Sequence, residues 1–123
     1  MRGINTVFIL GRLGKSLEAK STTTGKSYVD LHIATNRPVK KSDTWTEETD
    51  WHRVRFWGKQ ANTCCQFLDK GSLVAIEGSL RTDQWTEDDG QKQFRSYVLG
   101  QQLHLLPQHQ RKLSDNGGLI PLN

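Results

Sequence analysis

The fold class that this sequence predicts is all-β: a five-stranded Greek-key barrel with one short helix between the third and fourth strands. Three observations point there. Runs that alternate apolar and polar residues recur along most of the chain, separated by clusters of Gly, Asp, Ser and Thr. Only Lys59–Lys70 carries helical spacing. The apolar run near the start, Val7–Leu10, is far too short for a spanning helix or a signal-peptide core.

The elements follow in order. Thr6–Leu13 is rich in β-formers, and Gly11 within it signals a bulge or close packing. Ser21–Ser27 is a polar turn. In Ser27–Asn36, Val29, Leu31 and Ile33 share one face, and Asp30, His32 and Ala34 share the other. Arg37–Thr49 is polar and contains Pro38, which predicts a long hairpin loop. Asp50–Lys59, DWHRVRFWGK, is the third strand. In the helix candidate, Ala61, Cys64, Cys65 and Leu68 form the apolar face, and Gly71 falls just past its end. Ser72–Trp85 is a long strand with Val74, Ile76, Gly78 and Leu80 on the core face; Arg81, Asp83 and Trp85 lie on the other. Asp89-Gly90 tips a hairpin turn, and Gln93–Leu106 is the last strand, stopped by Pro107. The oligonucleotide-binding fold is a barrel of this kind. Residues 1–107 are expected to form that domain. Residues 108–123 are polar and aperiodic, and are expected to form a short flexible tail.

Composition sets the class of partner. The chain of 123 residues is 34% apolar and 24% charged, with a net charge of +4 and a pI near 9.3, which permits a polyanionic ligand without requiring one. The two cysteines, Cys64 and Cys65, are adjacent, which suits reduced thiols and a cytoplasmic setting better than a disulfide framework. No Cys or His spacing matches a zinc site. His52 with Asp50, and Cys64 with His104, lack any surrounding catalytic motif, and the acidic run Glu87–Asp89 reads as a solvated turn. No catalytic residue, metal or cofactor is expected.

The informative stretch is DWHRVRFWGK. With a period of two, Trp51, Arg53, Arg55 and Trp57 fall on one face, and His52, Val54 and Phe56 fall on the other. If the second set points inward, two indoles point outward with two guanidinium groups between them. Single-stranded nucleic acid would cover such a face: bases stack on indole rings and cations neutralise phosphates. Trp85, near Arg81, supplies a third platform from another strand. A half-buried core face or a subunit interface accounts for the tryptophans equally well, but two unpaired arginines would be costly there. Asp50 and Asp83 are the candidate partners for them.

These residues resemble the bacterial single-stranded DNA-binding protein family, the tetrameric type built on an oligonucleotide-binding fold. The matching segments are RGINTVFILGRLG (Arg2–Gly14), LHIAT (Leu31–Thr35), TDWHRVRFWGKQA (Thr49–Ala61), LDKGSLVAIEGSLRTDQW (Leu68–Trp85) and DGQKQFRSYV (Asp89–Val98), in the family's order. The resemblance implies a homotetramer that binds single-stranded DNA without sequence preference in replication, recombination or repair. It implies stacking on Trp51 and Trp85, and on Trp57 where the family has phenylalanine. Lys59 and Lys70 match basic positions near the bound strand. His52 matches a histidine at the subunit interface, and Asn5–Leu10, with Asn5, Val7 and Ile9, matches the strand through which subunits pair. Together with Arg53, Arg55 and Arg81 from the residue reading, this gives the expected DNA-binding set.

The chain departs from the family in three places. The stacking tryptophan that follows the LAT-type segment aligns near Val39, and Trp45 substitutes for it only if the expected loop folds back. The two loop tips carry Glu47, Glu48 and Asp50, and Glu87, Asp88 and Asp89, which would repel phosphates. The tail has one acid, Asp115, where the family has an acidic tip, and Ile120-Pro121-Leu122 only echoes the hydrophobic end. Weak or absent docking of replication and repair enzymes through that tail is therefore expected. Other readings of the same residues are a barrel serving as a protein-interaction or primosome-like accessory module, and an RNA binder, since stacking and phosphate contacts do not tell RNA from DNA.

Overall fold

The computed structural model describes residues 1–108. The elements are β1 (Val7–Leu13), β2 (Lys20–Ser21), β3 (Ser27–Lys41), β4 (Thr44–Trp57), α1 (Lys59–Phe67), β5 (Leu73–Thr86) and β6 (Lys92–Leu105). Five strands are long, as the alternation predicts, and the two-residue β2 is an addition to the edge of β3. The strands lie in the order β1, β5, β6, β4, β3, β2, and a further β1–β3 pairing closes five of them into a barrel. No helix among the described residues is long and apolar enough to cross a membrane.

Alternation fixes the core. Val29, Leu31 and Ile33 of β3, Val54 and Phe56 of β4, and Val74 and Ile76 of β5 are fully buried. Ile9 and Leu13 join them from β1, and Ala61, Cys64 and Leu68 close one end of the barrel from α1 and its exit. Burying these side chains removes the apolar area that stabilises the fold, at about 25 cal/mol per Å². The Cys64 thiol is pushed up to about 12 by burial and by its neighbour Cys65, which leaves it a packing group rather than a nucleophile.

Closure depends on Gly11. Residues Val7–Arg12 of β1 pair with β5, while Arg12 and Leu13 pair with β3, so the strand changes partner as it passes Gly11. A Cβ at Gly11 would run into the Ala34 carbonyl oxygen of β3. The expectation of close packing at this glycine therefore holds.

Four expectations need correction. Arg37–Thr49 is not a long loop: β3 and β4 continue as a regular hairpin arm, paired from Asn36↔Thr49 to Lys41↔Thr44, and only Ser42 and Asp43 turn. Ser42 adopts the left-handed conformation at φ 55°. Leu80 is 50% exposed instead of in the core, because the β5–β6 register shifts between Glu77 and Gly78 and buries Ser79 in its place. Cys65 is exposed, so only Ala61 and Cys64 form the buried face of α1, with Leu68 packing from just past its end. The helix ends at Phe67, before Lys70, because Leu68 is already extended and Gly71 turns the chain at φ 90°.

Gln108 lies just past the expected domain boundary at residue 107. The Gln108 amide accepts from Leu73 N–H and donates to Leu73 C=O, both at 2.8 Å, which docks it beside the start of β5. The tail readings that involve Asp115 and Leu119–Leu122 fall outside the described residues. Replacing Gly11 by Ala should lower stability by about 1–3 kcal/mol, the usual cost of overpacking. Denaturant unfolding of the variant measures this, and an unchanged midpoint would mean the β1–β3 contact is not what closes the barrel.

Candidate nucleic-acid interface

The β3–β4 register sets the outer face of the barrel. Tyr28 lies opposite Trp57, Asp30 opposite Arg55, His32 opposite Arg53, and Ala34 opposite Trp51. On the other side of β4, β6 runs parallel with Arg55↔Leu99, which brings Tyr97 alongside. The β5–β6 hairpin then places Arg81 opposite Tyr97 and Trp85 opposite Gln93. Directly opposite antiparallel residues point to the same face, so these side chains form one strip across four strands.

At its centre, Asp30 holds both arginines. Arg55 Nε donates to Asp30 Oδ1 at 2.7 Å and Arg55 Nη2 to Oδ2 at 3.0 Å, a bidentate pair; Arg53 Nη1 donates to Oδ2 at 3.3 Å. The three side chains are 15%, 21% and 12% exposed for Asp30, Arg55 and Arg53. Burial alone would raise the Asp30 carboxyl, but the hydrogen bonds and charges of Arg55 and Arg53 outweigh it and hold the group below its ordinary value. Neither Asp50 nor Asp83 is the partner. Asp50 instead accepts from Arg37 Nε at 2.8 Å.

Aromatic rings enclose this ion cluster. The Arg55 guanidinium centre lies 4.2 Å from the Tyr28 ring, 5.9 Å from Trp57 and 5.7 Å from Tyr97, while that of Arg53 lies 5.0 Å from Tyr97. Tyr28 and Trp57 are themselves 4.9 Å apart, tilted by 43°. Trp57 and Tyr97, with Leu99, Lys26 and Arg81, line an open pocket of about 330 Å³.

The flanks carry the more exposed indoles. Trp51 is 60% exposed and rests over Gly14, where a Cβ would run into the ring, and it shares a groove with Lys15 and His32. Burial and the nearby Lys15 ammonium hold the His32 imidazole below its ordinary value, against the opposing pull of Asp30. Trp85 is 40% exposed, and its Nε1–H donates to Glu87 Oε2 at 2.8 Å. On the hairpin arm, Trp45 lies on the same side of the β3–β4 ladder as Trp51, with the Lys40 ammonium 5.9 Å from its ring. The arm's acids are largely spoken for. Glu48 pairs with Arg37 and Lys41 at 3.3 Å, and Asp50 pairs with Arg37, so the repulsion expected at this tip is reduced.

Of the sequence-predicted site residues, Trp51, Arg53, Arg55, Trp57, Arg81 and Trp85 come together on this strip. Lys59 and Lys70 are exposed at the two ends of the helix segment. Gly71 N–H donates to Leu13 C=O at 2.8 Å, which sets Lys70 beside the turn that carries Gly14 and Lys15. The residues expected at a subunit interface have these places within the single chain. Ile9 is in the core with Val7 packed against it. The Asn5 amide is engaged with both backbone groups of Leu80, at 2.8 and 2.9 Å. His52 is half-buried and shares a 2.8 Å hydrogen bond with Thr35 Oγ1. The apolar side chains that β1 presents outward are Phe8 and Leu10. Tyr28, Tyr97, Lys15 and Lys26 were not anticipated. Tyr28 had a signal, since it shares its parity with Asp30 and His32, whereas Lys15 and Lys26 sit in turns that carry no periodicity.

A five-stranded barrel whose outer strip interleaves exposed indoles with cations defines an oligonucleotide-binding class of domain. The model of the Single-strand binding protein family matches residues 4–106, and the chain belongs to that family. It is 37% identical over 119 residues to the single-stranded DNA-binding protein of Xylella fastidiosa, covering 96% of this chain and 70% of that one. It is also 37% identical over 107 residues to single-stranded DNA-binding protein 1 of Chlorobaculum tepidum, covering 85% of this chain and 66% of that one. A crystal structure of a deletion variant of the Thermus aquaticus single-stranded DNA-binding protein superposes with a TM-score of 0.74 at 31% identity, over 86% of this chain and 52% of that one. The Plasmodium falciparum protein in complex with single-stranded DNA shares the fold, with a TM-score of 0.74 at 23% identity, over 87% of this chain and 98% of that one. The chain thus spans about two-thirds of the length of the curated relatives and about half of the Thermus chain.

The Asp30 cluster predicts a pH dependence. Its carboxyl titrates lower in the folded chain than the ordinary 3.8, so the stability it contributes is present above about pH 4 and is lost as the pH falls through the folded value. Asp30→Asn should therefore be less stable than wild type from neutral pH down to about pH 4, with the gap narrowing below that. Chemical denaturation across this range checks it, and a gap that stays constant into acid would remove the ion cluster as its source.

Proposed function

We propose that this protein binds and protects single-stranded DNA, largely without sequence preference, as a non-enzymatic partner of replication, recombination or repair in the cytoplasm. The observation that carries the reading is the strip itself: Trp51, Trp57 and Trp85 lie on one outer face of the barrel with Arg53, Arg55 and Arg81 among them. Bases stack on the indoles at about 1–3 kcal/mol each, and this is sequence-tolerant because every base has a π-face. Lys59, Lys70 and Arg81, with Lys15 and Lys26 beside the two grooves, follow the phosphates. Each contact releases counterions, which makes binding salt-dependent.

We further propose a homotetramer. Backbone groups of β1 from Val7 to Gly11 pair with β5 alone, leaving one edge of that segment open within a single chain, and Phe8 and Leu10 are 70% and 59% exposed beside it. A second copy pairing there would cover both. Residues 108–123 carry one acid, Asp115, so docking of replication and repair enzymes through that segment is proposed to be weak.

Titration with oligo(dT) should quench tryptophan fluorescence strongly and less so as salt rises, while the matching duplex quenches little. Trp51→Ala should lose about 1–3 kcal/mol of affinity with the fold intact. No quenching by the single strand would return the indoles to packing or to a protein partner. Leu10→Glu should lower the mass seen by sedimentation equilibrium, and an unchanged mass would place the subunit contact elsewhere.

A further inference from the structure

Asp30 is out of place on a surface meant for a polyanion. A carboxylate there repels phosphate, and its two arginine partners are the cations nearest the centre of the strip. The geometry divides those partners unequally. Arg55 spends two of its three nitrogens on Asp30, at 2.7 and 3.0 Å, and its guanidinium centre sits among the rings of Tyr28, Trp57 and Tyr97. Arg53 makes one longer bond, at 3.3 Å, and its Nε and Nη2 have no hydrogen-bond partner among the described residues.

We propose that Asp30 is a positioning residue for strand binding: it clamps Arg55 as part of the stacking platform. A bidentate carboxylate fixes both the direction and the plane of a guanidinium. Held this way, Arg55 ties Tyr28 to Trp57 and Tyr97, so the platform is already ordered when a base arrives, and less side-chain entropy is lost on binding. One carboxylate shared by two guanidinium groups leaves one net positive charge, so the centre of the strip still attracts the strand.

The inference rests on the single-strand-binding reading, and wild-type titration with oligo(dT) tests that reading by itself. With wild-type binding in hand, the same titration is run across a salt series for Asp30→Asn and for the charge-balanced double variant Asp30→Asn/Arg55→Gln. Affinity extrapolated to about 1 M salt isolates the stacking contribution, because the phosphate contribution is screened away there. It should fall several-fold in both variants. The salt slope of the double variant should be no shallower than wild type, whereas a phosphate-contacting Arg55 would make it shallower by about 0.7. High-salt affinity at or above wild type in Asp30→Asn would show a merely repelling charge and overturn the proposal, and so would a shallower slope in the double variant. Thermal unfolding verifies the fold of each. If either fails to fold, Arg55→Lys decides: it keeps the charge and loses the fork, so high-salt affinity should drop at an unchanged slope, and no drop would overturn the proposal.

Discussion

The antiparallel register between β3 and β4 is the constraint on which the rest depends. It runs without a bulge from Tyr28↔Trp57 to Lys41↔Thr44, so the parity of every side chain on both strands is set once. Val29, Leu31, Ile33, Val54 and Phe56 then must face the core, and Tyr28, Asp30, His32, Trp51, Arg53, Arg55 and Trp57 must face out. A slip of one residue would exchange the two sets. The hydrophobic core therefore defends the register, and the register delivers the outer strip. Stability and site are two faces of the same pairing.

An outward face built from indoles and guanidinium groups has its own cost. Half-buried charges lose hydration, and two adjacent cations repel. Asp30 offsets both, because a single carboxylate accepts from both arginines while the rings of Tyr28 and Tyr97 lie beside the guanidinium centres. The same solution appears in weaker form on the arm, where Arg37 and Lys41 neutralise Glu48 and Asp50 at the surface. Exposed pairs of that kind contribute little to stability, about 0–1 kcal/mol. Their effect is on the field that an approaching phosphate meets.

What was legible in the sequence follows from period and ends where period ends. The alternation in DWHRVRFWGK placed Trp51 and Trp57 outward with both arginines, and Val54 and Phe56 inward. The partner of the arginines was not legible, because it lies across a register that no single strand encodes. Asp50 is far nearer in sequence, whereas Asp30, 23 and 25 residues from the two arginines, is brought to them only by the pairing of β3 with β4. Arg37–Thr49 reads as a loop because it has no continuous apolar face to alternate; it stays paired through backbone bonds and cross-strand contacts. Leu80 was misassigned because the register shift at Gly78 leaves no mark in the pattern. Strand pairing between subunits concerns backbone, so the parity of β1 leaves the side chains of Ile9 and Val7 turned inward whatever its open edge pairs with.

Extending β3 and β4 into an arm also changes what Trp45 can do. A loop would let the ring wander, whereas a paired ladder holds it on the side that Trp51 occupies, with Lys40 close by. Platforms then recur along one direction: Trp45 with Lys40, Trp51 with Lys15, Trp57 with Lys26 and Arg81. At about 3.3 Å per residue along a strand, Trp45, Trp51 and Trp57 are spaced by roughly 20 Å, farther apart than neighbouring bases. On the proposed reading, a strand that followed this face could not stack every base on an indole, and smaller rings such as Tyr28 and Tyr97 would be left for bases in between. Affinity on the proposed surface would be spread over several separated contacts, none of which reads the identity of a base, and that spacing would give binding without sequence preference a physical basis.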